Sequence, residues 1–369
     1  IDTKKLTGFS INETNCTAVG GAGLTGAEFE NLLNEHGYTS GHYPQSFQSA
    51  VLGGMVATRA IGTFSTKYGK MEDIVTSLTV VLPDGEVLKT HKAPRRSTGP
   101  ELMEIFLGSE GTYGIVTKVE MKIHPRPEKR SFEAYTFPNT HGGLEAVRNI
   151  VRKGITPPVV RLYDEVEARG KIEAFGYQRG QAILVLVYEG LEEMVELERR
   201  IVKDCCLAQG GVYQGAEAAK YWFNGRFNTS GISKSSRKEG GSSDAIEVAA
   251  PWDKIENVWK EMKKNVEPIS DFVEAHFSHF YHTGANVYVI FHAVAEDEKS
   301  AVERYEECVK RCIEASLKNG GNVSHHHGAG KLKAQWLEQE HGKAGVEIMK
   351  KIKKALDPDR LLNRGVLGL

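Results

Sequence analysis

An α+β fold follows from three observations on the sequence. Residues 115–123 alternate in polarity, with Ile115, Thr117, Val119, Met121 and Ile123 on one side and Val116, Lys118, Glu120 and Lys122 on the other. That period of two predicts an antiparallel strand with one face in water. After His124-Pro125-Arg126-Pro127 the composition changes to helical stretches interspersed with short apolar runs, and the two prolines mark a boundary near residue 127. Residues 43–69, by contrast, are dense in Gly, Ser, Thr and Ala with little periodicity, as expected where backbone must approach a ligand closely. Helices over one face of an antiparallel sheet are the simplest assembly of these parts.

The elements follow in order. The turn Gly20-Gly21-Ala22-Gly23 separates a strand from a short helix that carries Phe29, Leu32 and Leu33. Residues 74–90 predict a hairpin around Pro83-Asp84-Gly85. Beyond residue 127, helices are expected over 142–153 and 192–209, flanking a strand at 182–188. The Gly-, Ser- and Lys-rich stretch 225–246 reads as a mobile loop. A strand over 286–293 and a long helix over 297–317 come next, and Asn319-Gly320-Gly321 stops that helix. A short strand, Asn322 to Ser324, then delivers His325-His326-His327, and a final amphipathic helix carries Val346, Met349, Ile352 and Leu356.

Composition narrows the function. The 369 residues suit roughly two domains. With 47 basic against 48 acidic side chains the net charge is -1, so no overall field recruits nucleic acid. No apolar run approaches the roughly 20 residues that span a bilayer, and the start lacks the pattern of a signal peptide. Five cysteines, odd in number and without CxxC spacing, predict reduced thiols in an intracellular reducing compartment. The chain starts at Ile1 inside what reads as folded structure, from which residues upstream are expected.

Chemistry could reside in few places. Neither Leu52-Gly53-Gly54 nor the 108–114 loop matches a Rossmann or Walker phosphate cradle. His276, His279, His282 and the histidine triplet could be imagined around a metal, but no carboxylate lies within the triplet or between His276 and Tyr288, which argues against it. Tyr281 reads as a phenol tuned by neighbouring imidazoles for proton transfer, or as an ordinary half-buried tyrosine. Arg161, flanked by apolar residues, reads as a cation awaiting an anion or as the partner of Asp164.

Taken in order, Pro44-Gln45-Ser46, Leu52-Gly53-Gly54, Ala57-Thr58-Arg59, Tyr68-Gly69-Lys70, Gly108-Ser109-Glu110-Gly111-Thr112, Arg161-Leu162, Ala250-Pro251-Trp252-Asp253 and Ser324-His325-His326-His327-Gly328 resemble the flavoenzymes of the vanillyl-alcohol oxidase superfamily of FAD-linked oxidases. Within it the match favours the alkyldihydroxyacetonephosphate (alkylglycerone-phosphate) synthase branch. The resemblance implies an FAD-binding domain over residues 1–127, represented by its second subdomain with the first missing. It also implies an α+β cap over 128–318 with an antiparallel sheet, and a segment 319–369 that returns to the FAD domain.

It further implies non-covalent FAD held by Pro44, Ser46, Gly53, Gly54, Thr58, Tyr68, Glu110, Gly111, Gly114 and Ile115. Tyr281, His325, His326 and His327 would be catalytic, and Arg161 would hold the substrate phosphate. The chemistry implied is exchange of the acyl chain of acyl-dihydroxyacetone phosphate for a fatty alcohol through a flavin N5 adduct. One departure stands out: Ser233-Lys234 occupies the place where the synthases carry an arginine, and Lys234 or Arg237 are the candidate substitutes.

The alternative is an FAD-dependent dehydrogenase or oxidase of a 2-hydroxy acid such as D-lactate or glycolate. A chain that docks a partner supplying the missing subdomain is a third reading. A small-molecule or lipid-like substrate is expected on the first two, with a homodimer and a peripheral membrane contact left open. A peroxisomal location would need a signal upstream, because Val366-Leu367-Gly368-Leu369 is not one.

Overall fold

The computed structural model describes residues 1–177, 181–228 and 241–369. Its contacts divide the chain into two compact units, Ile1–Arg126 with His326–Leu369, and Pro127–His325. Ser233, Lys234 and Arg237 lie outside the described residues.

In the first unit an antiparallel sheet runs in the order β1 (Phe9–Asn12), β2 (Thr17–Gly21), β6 (Ile115–Lys122), β4 (Val75–Val81), β5 (Val87–Lys89). A small second pairing joins β3 (Tyr38–Thr39) to β7 (His124–Pro125). Helix α1 (Gly26–Glu35) starts at a capping box: Glu28 N–H donates to the Thr25 hydroxyl at 3.2 Å, and the Glu28 carboxylate accepts the Thr25 N–H at 2.8 Å. This arrangement buries Phe29 and Leu33 against Leu52, Met55 and Val119. Residues 43–69, expected to be irregular, contain two short helices, α2 (Leu52–Ala57) and α3 (Ser65–Tyr68); α4 (Met71–Ile74) follows. Gly53 lets α2 press on the chain just after β2, since a Cβ there would stand 2.9 Å from that of Ala22.

The alternation of β6 holds over only part of the strand. Val119 and Met121, with Ile123 just beyond, are buried as expected, but toward the N-terminus Val116 is buried while Ile115 and Thr117 are only half so. The pairing explains it: Thr79 faces Lys118 and Val80 faces Val116, so Thr117 is an extra residue that moves the remainder of β6 onto the other phase. Its hydroxyl donates to the Thr79 carbonyl at 3.1 Å.

The C-terminal helix (Leu337–Leu356) packs Met349, Ile352 and Leu356 on this core and bends at Gly342, whose φ is 69°. It ends in a buried lock. Lys353 Nζ donates to the Thr112 and Leu362 carbonyls, each at 2.8 Å, and to the Asp357 carboxylate.

The second unit is built on a seven-stranded antiparallel sheet in the order β11, β8, β10, β9, β13, β14, β12. Their ranges are β8 (Lys129–Phe137), β9 (Val159–Tyr163), β10 (Ala182–Gly190), β11 (Val212–Tyr213), β12 (Gly241–Pro251), β13 (Phe272–Phe277) and β14 (Gly284–Val294). Residues 241–246, expected in a loop, therefore belong to a strand. Helix α5 (Thr140–Arg152) presses Gly143 onto Leu162 of β9, whereas α6 (Glu165–Phe175) contributes Ala168 and Ile172 to a cluster with Tyr163, Ile183 and Val185 on the opposite side. Helices thus lie on both faces here rather than on one. For that reason every residue of 182–189 is buried. Residues 322–324, expected as a strand, form none. The segment is instead pinned to β12 by hydrogen bonds from Asn322 N–H to the Ala249 carbonyl at 3.1 Å and from His325 N–H to that of Glu247 at 3.2 Å.

Removing Lys353 would leave the wholly buried Asp357 without its cation. Lys353→Ala is expected to lower stability by about 3–5 kcal/mol, read from the denaturant midpoint of the purified protein.

Candidate functional site

In the second unit, β13 ends at Phe277 and the chain turns through Tyr281 before β14. The turn is held from both sides: Tyr281 N–H donates to the Gly284 carbonyl at 2.8 Å, and the Trp252 indole N–H lies 3.1 Å from the carbonyls of Tyr281 and His282. So fixed, the Tyr281 hydroxyl meets His325 Nε2 at 2.7 Å. This pair can pass a proton in either direction, the minimum equipment for acid-base work.

Arg161 stands on β9. Its partner is not Asp164, which instead caps α6 by accepting the Val166 and Glu167 N–H groups and pairs with Lys263. Arg161 donates from Nη2 to His276 Nε2 at 2.8 Å, and His276 Nδ1 lies 2.6 Å from a Glu167 carboxylate oxygen. A guanidinium only donates, so Nε2 must accept and Nδ1 must carry the proton. The imidazole is therefore neutral. Burial and the neighbouring Arg161 both lower its pKa, consistent with that tautomer. Burial alone would raise the Glu167 carboxyl, but His276, Lys171 and Arg161 outweigh it and hold it down to about 2.

Sheet register makes this line possible. His276 pairs with Tyr163 on one side and with Tyr288 on the other. The Tyr288 ring stacks on His276 at 4.6 Å between centroids, His279 follows at 6.3 Å from Tyr288, and His325 at 5.6 Å from His279. A row of rings thus links the partner of Arg161 to the partner of Tyr281. Sequence reasoning missed Glu167 and the service of His276 to Arg161, because cross-strand neighbours depend on register. The spacing of three between His276 and His279 was the available signal. His276 uses both its nitrogens on Glu167 and Arg161.

The remaining predicted residues lie in the first unit. The His326 and His327 rings stand 4.4 Å apart, edge to face. Gly53 and Gly54 are in α2, and Thr58 closes that helix with its hydroxyl on the Gly54 carbonyl at 3.1 Å. Pro44 and Ser46 open the turn before α2, where the Pro44 carbonyl accepts from Phe47 N–H at 2.9 Å. The Tyr68 ring lies against Gly41, where a Cβ would come within 2.3 Å of it. Gly114 leads into β6, which Ile115 opens, and a Cβ on Gly114 would meet Val80 at 2.6 Å. The Glu110 carboxylate accepts the N–H groups of Ala329 and Gly330.

One observation tests whether this unit suits a bound dinucleotide. His42 is buried beside Tyr43 and Pro44, and neither ring nitrogen has a hydrogen-bond partner among the described residues. Burial depresses its pKa to about 4, so the imidazole is neutral. A buried imidazole without partners is costly unless a polar group meets it, and the segment that carries it also carries Pro44 and Ser46. These residues fit FAD.

The fold and these segments define a flavoprotein, and comparison with known families agrees. Residues 1–91 match the FAD binding domain and residues 126–367 the C-terminal domain of FAD linked oxidases. The chain belongs to the FAD-linked oxidase family. Among its relatives is the alkyldihydroxyacetonephosphate synthase of Caenorhabditis elegans, 31% identical over 94% of this chain and 64% of that protein. An FAD-linked oxidoreductase of Escherichia coli, YgcU, is 30% identical over 97% of this chain and 76% of its own length. The mitochondrial D-lactate dehydrogenase [cytochrome] 1 of Saccharomyces cerevisiae is 26% identical, with 93% and 59% covered. A solved alkyldihydroxyacetonephosphate synthase superposes with a TM-score of 0.78 at 23% identity, over 98% of this chain and 66% of that one, and shows the same fold. The chain thus spans just under two thirds of the synthases it matches.

The His276 arrangement has a pH signature. Its folded pKa is lowered, so below about pH 6.5 the unfolded chain takes up a proton that the native imidazole resists, and stability falls with acidification at up to about 1.4 kcal/mol per pH unit. Glu167 extends the loss below about pH 4.5, as its unfolded carboxyl protonates first. His276→Gln is expected to flatten the profile of denaturant midpoint against pH as the pH falls below about 6.5.

Proposed function

We propose that this chain, with FAD, exchanges the acyl chain of an acyl-dihydroxyacetone phosphate for a fatty alcohol, which would form the alkyldihydroxyacetone phosphate that its synthase relatives are named for. The observation that carries this reading is the 2.7 Å contact between the Tyr281 hydroxyl and His325 Nε2, a proton-transfer pair held on a rigid turn. Tyr281 Oη would give and take the proton at the substrate carbon, with His325 Nε2 as its reservoir. His326 and His327 would serve the departing acid and the entering alcohol. Arg161, kept charged and oriented by the Glu167–His276 pair, would hold the phosphate by two N–H donors, the geometry in which a guanidinium exceeds an ammonium. Bound FAD would supply the electron-accepting ring system on which the exchange depends. Pro44, Ser46, Gly53, Gly54, Thr58, Tyr68, Gly111, Gly114 and Ile115 are the proposed contacts for it, and Glu110 belongs to the same loop as Gly111 and Gly114.

Oxidation of a 2-hydroxy acid is the second reading, favoured by the likeness to D-lactate dehydrogenase. No helix among the described residues is long and apolar enough to cross a membrane.

Anaerobic mixing decides between the two. The expected result is a flavin that D-lactate and glycolate leave unbleached, together with release of fatty acid from acyl-dihydroxyacetone phosphate when a fatty alcohol is present. Bleaching without fatty acid release would establish the oxidation instead. Tyr281→Phe is expected to slow the exchange about 10²–10⁴-fold with FAD retained, and His326→Ala to abolish turnover with the fold intact; near-normal rates in both would overturn the assignment.

A further inference from the structure

The backbone around Glu110 departs from its surroundings. Glu110 is one of few non-glycine residues with a left-handed φ, at 49°, and Arg59 is another, at 50°. Such values persist only where neighbours enforce them. Here they do. Glu110 N–H donates to the Ala57 carbonyl at 2.8 Å and Gly108 N–H to that of Val56 at 3.1 Å, which welds the loop to the end of α2. Asn363 Nδ2 closes on the Glu110 carbonyl, and Arg59 Nε donates to the Leu107 carbonyl at 3.0 Å.

The side chain this backbone presents is spent on one task. One carboxylate oxygen accepts Ala329 N–H at 2.7 Å and the other accepts Gly330 N–H at 2.9 Å. Two consecutive amides on one carboxylate fix the direction of the backbone between them, and the negative charge strengthens both bonds. Gly328 completes the fit: its φ is 82°, and a Cβ there would stand 2.8 Å from a Glu110 oxygen. The residues immediately before that glycine are His326 and His327.

We propose that Glu110 is a positioning residue, whose carboxylate sets the turn that follows His326 and His327 and so aims both imidazoles. Its resemblance-based role as a flavin contact is then indirect, through the loop it belongs to. The inference rests on the reading that His326 and His327 carry protons beside FAD. Glutamine keeps the length of the side chain but has one acceptor oxygen for two amides, so it isolates the contact.

The test uses the purified, FAD-loaded chain. In Glu110→Gln, hydrogen exchange at the Ala329 and Gly330 amides is expected to speed about ten-fold. The dissociation constant for FAD should stay within about three-fold, and kcat for acyl exchange should fall more than KM changes. Glu110→Asp, a methylene shorter, should show the same exchange defect and serves if the glutamine variant fails to fold. Unchanged exchange at both amides, or weakened FAD binding with exchange unchanged, would overturn the proposal. Failure of the underlying reading looks different: the unsubstituted chain would then turn over no acyl-dihydroxyacetone phosphate, while the exchange defect of the variants would persist.

Discussion

The pairing of β9, β13 and β14 is the constraint on which the second unit depends. His276 has Tyr163 opposite on one strand and Tyr288 on the other, and a slip of one residue in either pairing would send its ring to the other face of the sheet. Arg161 would then lose the acceptor that orients it, and Glu167 would keep a buried negative charge with Lys171 as its remaining strong partner. Since a buried charge that loses its partner costs several kcal/mol, correct register and a correctly prepared arginine are selected together. The stacking of Tyr288 on His276 is a by-product of the same pairing, as residues directly opposite on neighbouring strands lie on one side of the sheet.

The first unit solves a different problem. Its glycine-rich loops carry few side chains that could hold them in place, so their order comes from backbone hydrogen bonds and from a handful of long side chains reaching in from the C-terminal segment. Lys353 donates to the Thr112 carbonyl and Asn363 to that of Glu110, which ties residues late in the chain to the loop before β6. A loop made of small residues can then be rigid without being bulky.

Much of this was legible before any coordinates. Phe29 and Leu33 marked a helix, Pro83-Asp84-Gly85 a hairpin, and Asp297 the start of the long helix ended by Asn319-Gly320-Gly321, all because local chemistry decides them. The family and its cofactor were readable from ordered motifs that individually mean little. What was not legible is non-local. Asp164 looked like a partner for Arg161 since it lies three residues away, yet on leaving the strand it caps α6 and faces Lys263. Strand β13 was overlooked, and with it the meeting of His276 and Arg161, because 115 positions separate them in sequence. The segment before His325 reads as extended and is not a strand, because its few hydrogen bonds to β12 never form a ladder.

The extra residue at Thr117 reaches beyond this protein's own packing. Members of the family that lack it would have one residue fewer between the loop of Glu110 and the end of β6. A gap placed elsewhere along the strand would then equate core positions with solvent-facing ones on one side of the bulge. Distant relatives compared by pattern alone would look less alike through this strand than they are, and the apparent divergence would be an error of phase.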